Sequence, residues 1–176
     1  PSLFAGKKRK AGKDNAHFNR PIGVACDKDG NVYVADSENN RIQVLKPDGS
    51  HLKTIPVKKP VLLSVHHKTG SIYVLALLSG RKMKLLKLGG LKDPTVKVEG
   101  PVLPCRYSDG GSRLARSPLL ALDQSGETPR LWVKTYGVPG HMKCLEDQGT
   151  SFKPRPTGDI NHIQKGWHDW TPWEHQ

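Results

Sequence analysis

The chain has 176 residues and is polar for that length, with 35% hydrophobic residues, 18 Gly and 14 Pro. That suffices for one ordinary domain with a real core, and so many turn formers favour many short elements over a few long helices. The formal net charge is +12; no apolar run approaches the ~20 residues of a membrane span, and three widely spaced cysteines, Cys26, Cys105 and Cys144, make neither a disulfide framework nor a zinc ribbon.

The first residue is Pro and no charged-apolar-small leader follows it. Compartment is therefore left unknown, with an extracytoplasmic (periplasmic or secreted) location expected if the source is bacterial. Residues 7–13, KKRKAGK, hold five basic groups and no acidic one. Such a cluster binds phosphate backbones or anionic surfaces, and it is also what a solvated loop looks like. From residue 22 the pattern becomes that of short strands. IGVACD is ended by the turn KDGN; VYVAD follows, then SENN, RIQVLK, PDGS and HLKTIPV. β-Branched and aromatic residues bounded by Asp-Gly and Asn-Asn predict hairpins. Residues 18–58 thus read as a four-stranded meander, too small a sheet to bury both faces alone.

The pattern recurs over residues 59–99. LLSV stands for GVAC, KTGS for KDGN, IYVLA for VYVAD and KMKLLKLGG for RIQVLKPDG. A third copy, 118–156, brings LLALD, LWVKT and MKCLEDQG in the same order. The second strands centre on Tyr33, Tyr73 and Trp132, at intervals of 40 and then 59 residues. The excess falls in a connection over 100–117, rich in Gly, Pro and Ser. A four-stranded unit repeating near forty residues predicts a β-propeller. Residues 1–17 then hold the end of a preceding blade, with Leu3-Phe4-Ala5 closing its outer strand, and a basic inter-blade connection. The Trp-rich tail, 157–176, either opens a further blade or folds back as a cap.

Residues 17 to 50 resemble an NHL repeat, the blade unit of many six-bladed propellers. The resemblance rests on Asn19-Arg20-Pro21, Gly23-Val24-Ala25, Asp27, Asp29-Gly30-Asn31, Val32 to Asp36, Asn39-Asn40-Arg41-Ile42 and Asp48-Gly49. The second and third copies keep the apolar skeleton and lose the Asp-x-x-Asn-Asn-Arg signature. The resemblance implies that Asp36 accepts hydrogen bonds from the following turn and that Arg41 pairs with a nearby carboxylate or carbonyl. Pro21, Gly23, Asp27, Gly30, Asp36, Asn40 and Arg41 are then structural residues of the blade.

Asp27, Asp29, Asn31 and Glu38 fall at positions 1, 3, 5 and 12 of a calcium loop, but position 6, which needs Gly, is Val32 inside a predicted strand. The expectation is a turn with Gly30 at positive φ and no metal. His66 and His67 are adjacent in what reads as a strand and so point to opposite faces, unable to grip one ion. Peptide-amidating lyases, which are similar to NHL propellers, hold zinc through axial histidines that follow the Pro opening a blade. Here those positions are Ile22, Val61 and Leu119. No acid-base set like that of streptogramin lyases or lactone hydrolases is visible. Trp167, Trp170 and Trp173 form an aromatic cluster that either binds a ligand or packs under a loop.

The fold class expected is all-β: a partial propeller of consecutive four-stranded antiparallel blades. Its function is expected to be non-enzymatic binding of protein or another macromolecule, with no cofactor. One alternative is a fragment of a propeller enzyme, lyase or lactonase-like, whose catalytic residues lie in other blades. Another is an RNA-binding propeller using Lys7, Lys8, Arg9 and Lys10. Val24, Val32, Val34, Ile42, Val44, Leu63, Ile72, Val74, Leu120, Leu131 and Val133 are expected to be largely buried. At the two ends of the array, surface around Val24 and Leu131 is expected to lack a partner sheet, which favours self-association.

Overall fold

The alternating apolar runs form strands between their Gly- and Asp-rich turns in a computed structural model that describes residues 3–79, 82–104, 118–134 and 142–155. Strands β1 (Pro21–Cys26), β2 (Val32–Asp36), β3 (Arg41–Leu45) and β4 (His51–Pro56) make the first sheet. The second holds β5 (Pro60–Val65), β6 (Ile72–Leu78), β7 (Lys82–Leu88) and β8 (Val96–Pro104). The third holds β9 (Leu119–Asp123), β10 (Arg130–Lys134), β11 (Met142–Asp147) and β12 (Phe152–Pro154). Every pairing is antiparallel between chain neighbours. The chain is all-β, three consecutive blades of a partial propeller. β8 continues to Pro104, into residues that the sequence pattern assigned to the inserted connection.

The sheets approach one another most closely along β1, β5 and β9 and splay apart outward. These are therefore the inner strands of a fan. Gly23 shows how close the approach is: a Cβ there would lie 2.5 Å from the Val61 carbonyl oxygen. Because strand direction alternates, the segments before β1 and β5 and the turn between β2 and β3 gather at one end of the array, here the upper end. The turns after β1, β3, β5 and β7 gather at the lower end.

Side chains alternate across each sheet, so every blade has a forward face, toward its successor, and a rear face. Tyr33, Ala35, Ile42, Val44 and Ile55 of the first sheet pack forward onto Leu63, Val65, Ile72, Val74 and Ala76 of the second. Tyr73, Leu75, Met83 and Leu85 of the second pack forward onto Leu131, Val133 and Leu145 of the third. Burial of each such side chain contributes about 1.5–3 kcal/mol.

This alternation corrects part of the expected core. Ile42, Val44, Leu63, Ile72, Val74, Leu131 and Val133 are buried. Val24 is 66% exposed, and Val32 and Val34 are half-buried: they sit on the rear face of the first sheet, where the described residues place no second sheet and the N-terminal segment meets the face at Gln43, which with Leu45 is buried. Leu120 is half-buried and packs from β9 against the second interface. Leu131 was expected on uncovered surface with Val24 and is instead fully buried. It shares the rear-face position of Val32, and in the third blade that face meets the second. Leu3-Phe4-Ala5 forms no strand.

Candidate functional site

The signature residues of the first blade turn inward. Asp27 closes the β1–β2 turn: one carboxylate oxygen accepts the Asp29 and Asn31 backbone N–H groups, both at 2.9 Å. The other accepts the Asn31 amide at 2.9 Å and the Tyr33 hydroxyl at 3.1 Å. Burial pushes the Asp27 pKa up, and the hydrogen bonds from Asn31, Tyr33 and Asp29 outweigh it, so the carboxyl stays below its ordinary value. Burial and the Asp27 charge raise the Tyr33 phenol. Both carboxylate oxygens are thus engaged by the loop's own donors, and Gly30 holds φ +78° in that turn. Among the described residues no group of three or more His, Cys, Asp or Glu side chains could hold a metal.

His66 takes the place of Asp27 in the second blade. It lies just past β5, in the turn rather than in a strand, and is 4% exposed. Its Nδ1 accepts the Thr69 backbone N–H at 3.2 Å, which fixes the neutral tautomer protonated at Nε2. Burial, reinforced by Lys68, lowers its pKa. His67 is exposed and uses its backbone N–H to reach the Gln124 side chain of the third blade, 2.8 Å away.

Asp36 and Arg41 tie the N-terminal segment to the first blade. Asp36, fully buried, accepts the Asn19 backbone N–H at 2.7 Å, the Asn39 amide at 2.7 Å and Arg41 Nε at 2.7 Å. The Arg41 fork then donates to the carbonyls of Lys13, Asp14 and His17 at 2.7, 2.8 and 2.9 Å. Gln43 adds a bond to the His17 carbonyl at 3.1 Å. Asn40, at φ 55°, ends the short 3-10 turn Ser37–Asn39, and its side chain accepts the Lys59 backbone N–H at 3.1 Å.

The upper end gathers cations. Lys7, Lys8, Arg9 and Lys10 are exposed and line an open cleft of about 410 Å³ with Leu3, Ala5, Phe18 and Pro21. Beyond Pro21 a narrower cleft of about 100 Å³ lies between the first two blades, lined by Ile22, Val61, Leu77 and Met83 and rimmed by Arg20, Glu38 and Lys59. Glu38 meets Lys59 Nζ at 2.6 Å and Arg20 Nη1 at 3.6 Å. The Lys59 hydrogen bond, then its charge, with help from Arg20, holds the Glu38 carboxyl below its ordinary value. Among the described residues no carboxylate forms an ion pair with Lys7, Lys8, Arg9 or Lys10. Sequence reading found the 7–10 cluster and missed Arg20, Glu38 and Lys59. A signal was present: Arg20 and Lys59 each precede the proline that opens a blade, and both have positive φ, 56° and 45°. The axial positions Ile22, Val61 and Leu119 carry no ligating group. Trp167, Trp170 and Trp173 lie outside the described residues.

The second and third blades share a buried charge at the lower end. Asp147, 6% exposed, accepts the Tyr73 hydroxyl at 2.6 Å and pairs with Lys87 Nζ at 2.7 Å. Burial raises the Asp147 pKa, and the bonds from Lys87, Tyr73 and the Gly149 backbone overcome it, leaving the carboxyl below its ordinary value.

Residues 18–45 match the family model described as NHL repeat. Protein wech of Drosophila melanogaster is 49% identical over 39 residues, 22% of this chain and 5% of that protein. The E3 ubiquitin-protein ligase TRIM71 of Rattus norvegicus is 64% identical over 31 residues, 18% of this chain and 4% of the ligase. The matched stretch thus spans about a twentieth of these relatives. Among solved structures, Kuenenia stuttgartiensis hydrazine synthase superposes with a TM-score of 0.55 at 14% identity, covering 77% of this chain and 36% of that one. This likeness concerns the fold alone.

Proposed function

We propose that this NHL-repeat chain, a partial β-propeller, is a non-enzymatic binding scaffold whose upper end receives an acidic macromolecule, in the first instance a protein. The observation that carries the reading is the division of labour in the first blade. Asp27, Asp36, Asn40 and Arg41 are spent on holding the chain's own turns and inter-blade segments, while Lys7, Lys8, Arg9 and Lys10 face solvent at one end. Lys59 and Arg20 extend the same charge around Glu38. Loops on a rigid propeller scaffold are where recognition is placed. A relative called an E3 ubiquitin-protein ligase acts on proteins, which favours a protein ligand.

A second reading, RNA, is favoured by the run of four exposed cations that line a cleft with Phe18, since cations beside a stacking ring suit single strands. Titration of fluorescent poly-glutamate and of a labelled single-stranded RNA by anisotropy separates the two. Tighter peptide binding supports the protein reading; tighter RNA binding, weakening as salt rises, supports the second. In both cases Lys8→Glu with Lys59→Glu should abolish binding. Lys92→Glu, in the β7–β8 turn at the lower end, should not. Loss through Lys92→Glu alone, or no binding of either probe, overturns the assignment of the upper end. The propeller-enzyme alternative is tested by the full coding sequence, where axial His or acidic residues in further blades would support it.

A further inference from the structure

Each blade closes the turn after its inner strand from the same position, and the second blade fills that position differently. Asp27 in the first blade accepts the Asp29 and Asn31 backbone N–H groups. Asp123 in the third accepts the Ser125 backbone N–H at 3.0 Å and the Ser125 hydroxyl at 2.7 Å. The second blade has His66, whose Nδ1 accepts the Thr69 backbone N–H at 3.2 Å. The exchange also redirects a tyrosine. Tyr33 donates to Asp27 within its own blade. Tyr73, at the same register position of the second blade, meets no carboxylate at residue 66 and donates to Asp147 of the third blade. The turn that His66 closes is tied to the third blade as well, through the His67 backbone N–H and the Gln124 side chain.

We propose that His66 makes the joint between the second and third blades acid-sensitive: on taking up a proton it releases Thr69 and loosens the turn that ties the two blades. The neutral ring has one lone pair, at Nδ1, and Thr69 uses it. Protonation there makes both ring nitrogens donors, so the Thr69 N–H meets another N–H and the ring has to turn. The surroundings also disfavour the charge. Burial to 4% exposure keeps out the water that would solvate it. Among the described residues the charges that act on it most strongly are Lys68 and His67 of the same turn, Lys87 on β7 and Asp147 at the end of β11. Asp147 alone of these opposes the others, and it is already engaged by Lys87 and Tyr73. The fold therefore favours the neutral ring. Its contribution to stability is complete above the unfolded value of about 6.5 and is lost as pH falls from there through the lower, folded value. That loss begins at a higher pH than the one due to Asp147, whose carboxyl lies below its ordinary value.

Hydrogen exchange of the full chain, read by mass spectrometry, tests this on either side of the imidazole range, at about pH 7.5 and about pH 5. His66→Asn is the comparison at each pH, so the intrinsic pH dependence of exchange cancels. Asn keeps an acceptor near the place of Nδ1 and does not titrate. At the higher pH the two proteins should exchange alike over residues 66–71 and β9 to β10. At the lower pH the unmodified chain should exchange these segments several times faster than the variant, while β1 to β4 exchange equally in both. If the variant fails to fold, the unmodified chain decides by nuclear magnetic resonance. The His66 ring should carry its proton on Nε2 at neutral pH and titrate with a midpoint below about 6.5, and the Thr69 amide resonance should shift with the same midpoint. Equal exchange of chain and variant at the lower pH overturns the proposal. So does acid loosening that reaches β1 to β4 to the same extent, or a Thr69 amide that does not follow the His66 ring.

Discussion

Asp147 offers the sharpest test of how the blades are held together. Asp147→Asn keeps the shape of the side chain and removes its charge, 2.7 Å from Lys87 Nζ at the junction of the second and third blades. Removing one partner of a buried ion pair typically costs about 3–5 kcal/mol. Lys87 keeps 14% of its side chain exposed and can swing toward water, and the Tyr73 hydroxyl can still donate to the Asn oxygen. The expected loss is therefore nearer ~2–3 kcal/mol. With an m-value of about 1–3 kcal/mol/M, the urea midpoint should fall by roughly 1 M or more. Hydrogen exchange should show β9 to β11 losing protection before β1 to β4. The pH dependence has a definite sign. The Asp147 carboxyl is held below its ordinary value, so its contribution is fully present above the unfolded pKa of about 4. It fades as pH falls through the lower, folded value. The wild type should thus lose, on acidification below about pH 4, a share of stability that Asp147→Asn lacks already. Lys87→Met with Asp147→Asn should recover much of the loss. A variant within about 0.5 kcal/mol of wild type at neutral pH, or one that destabilises the first blade equally, would refute the role given to this pair.

Three further outcomes follow from the same hydrogen-bond pattern. Arg41→Lys keeps the charge but not the planar fork, so the bonds to the Lys13, Asp14 and His17 carbonyls are lost; trypsin should then cut within residues 7–13 several times faster than in the wild type, read by mass spectrometry. Asp27→Ala strips acceptors from the Asn31 and Asp29 N–H groups and should cost about 1–3 kcal/mol in chemical denaturation, while calorimetry with calcium shows no binding before or after. Gly23→Ala places a methyl 2.5 Å from the Val61 carbonyl oxygen; forcing the inner strands apart should cost about 1–3 kcal/mol, and a thermally neutral variant would mean that β1 and β5 are not held that close.

The repeat was legible because each copy reports the same physics three times. Strand length, Asp-Gly turns and a period near forty residues need no tertiary knowledge, so β1, β5 and β9 begin where the prolines Pro21, Pro60 and Pro118 point. The face assignment was not legible. Tyr33 and Val32 are equally apolar neighbours, and which of them meets another sheet depends on whether a blade stands before or behind. The second sheet, flanked on both sides, buries residues 72 to 76 without interruption. Local alternation cannot signal that difference. The cation cluster at 7–10 was visible as a run, whereas Arg20 and Lys59 stand 39 residues apart and meet only through Glu38, on the 3-10 turn that Asn40 closes.

That meeting has a consequence for where binding specificity resides. Arg20 and Lys59 hold the same place in successive blades, ahead of the inner strand, at the ends of segments anchored from below: Asn19 by Asp36 and Lys59 by Asn40. The signature residues therefore fix two cations at the upper end without touching any ligand. Where the signature is intact, in the first blade, the loop backbone is held by side chains of that blade. The second blade has no Asp-x-x-Asn-Asn-Arg. Precision of the upper face should thus be greatest between the first and second blades, around the Glu38 cleft. A ligand that needs fixed geometry should contact Arg20 and Lys59, and one that needs only charge should contact Lys7 to Lys10. Alanine substitutions at the two sets distinguish these cases. Loss of affinity that persists in high salt identifies the fixed site, and loss that salt erases identifies the diffuse one.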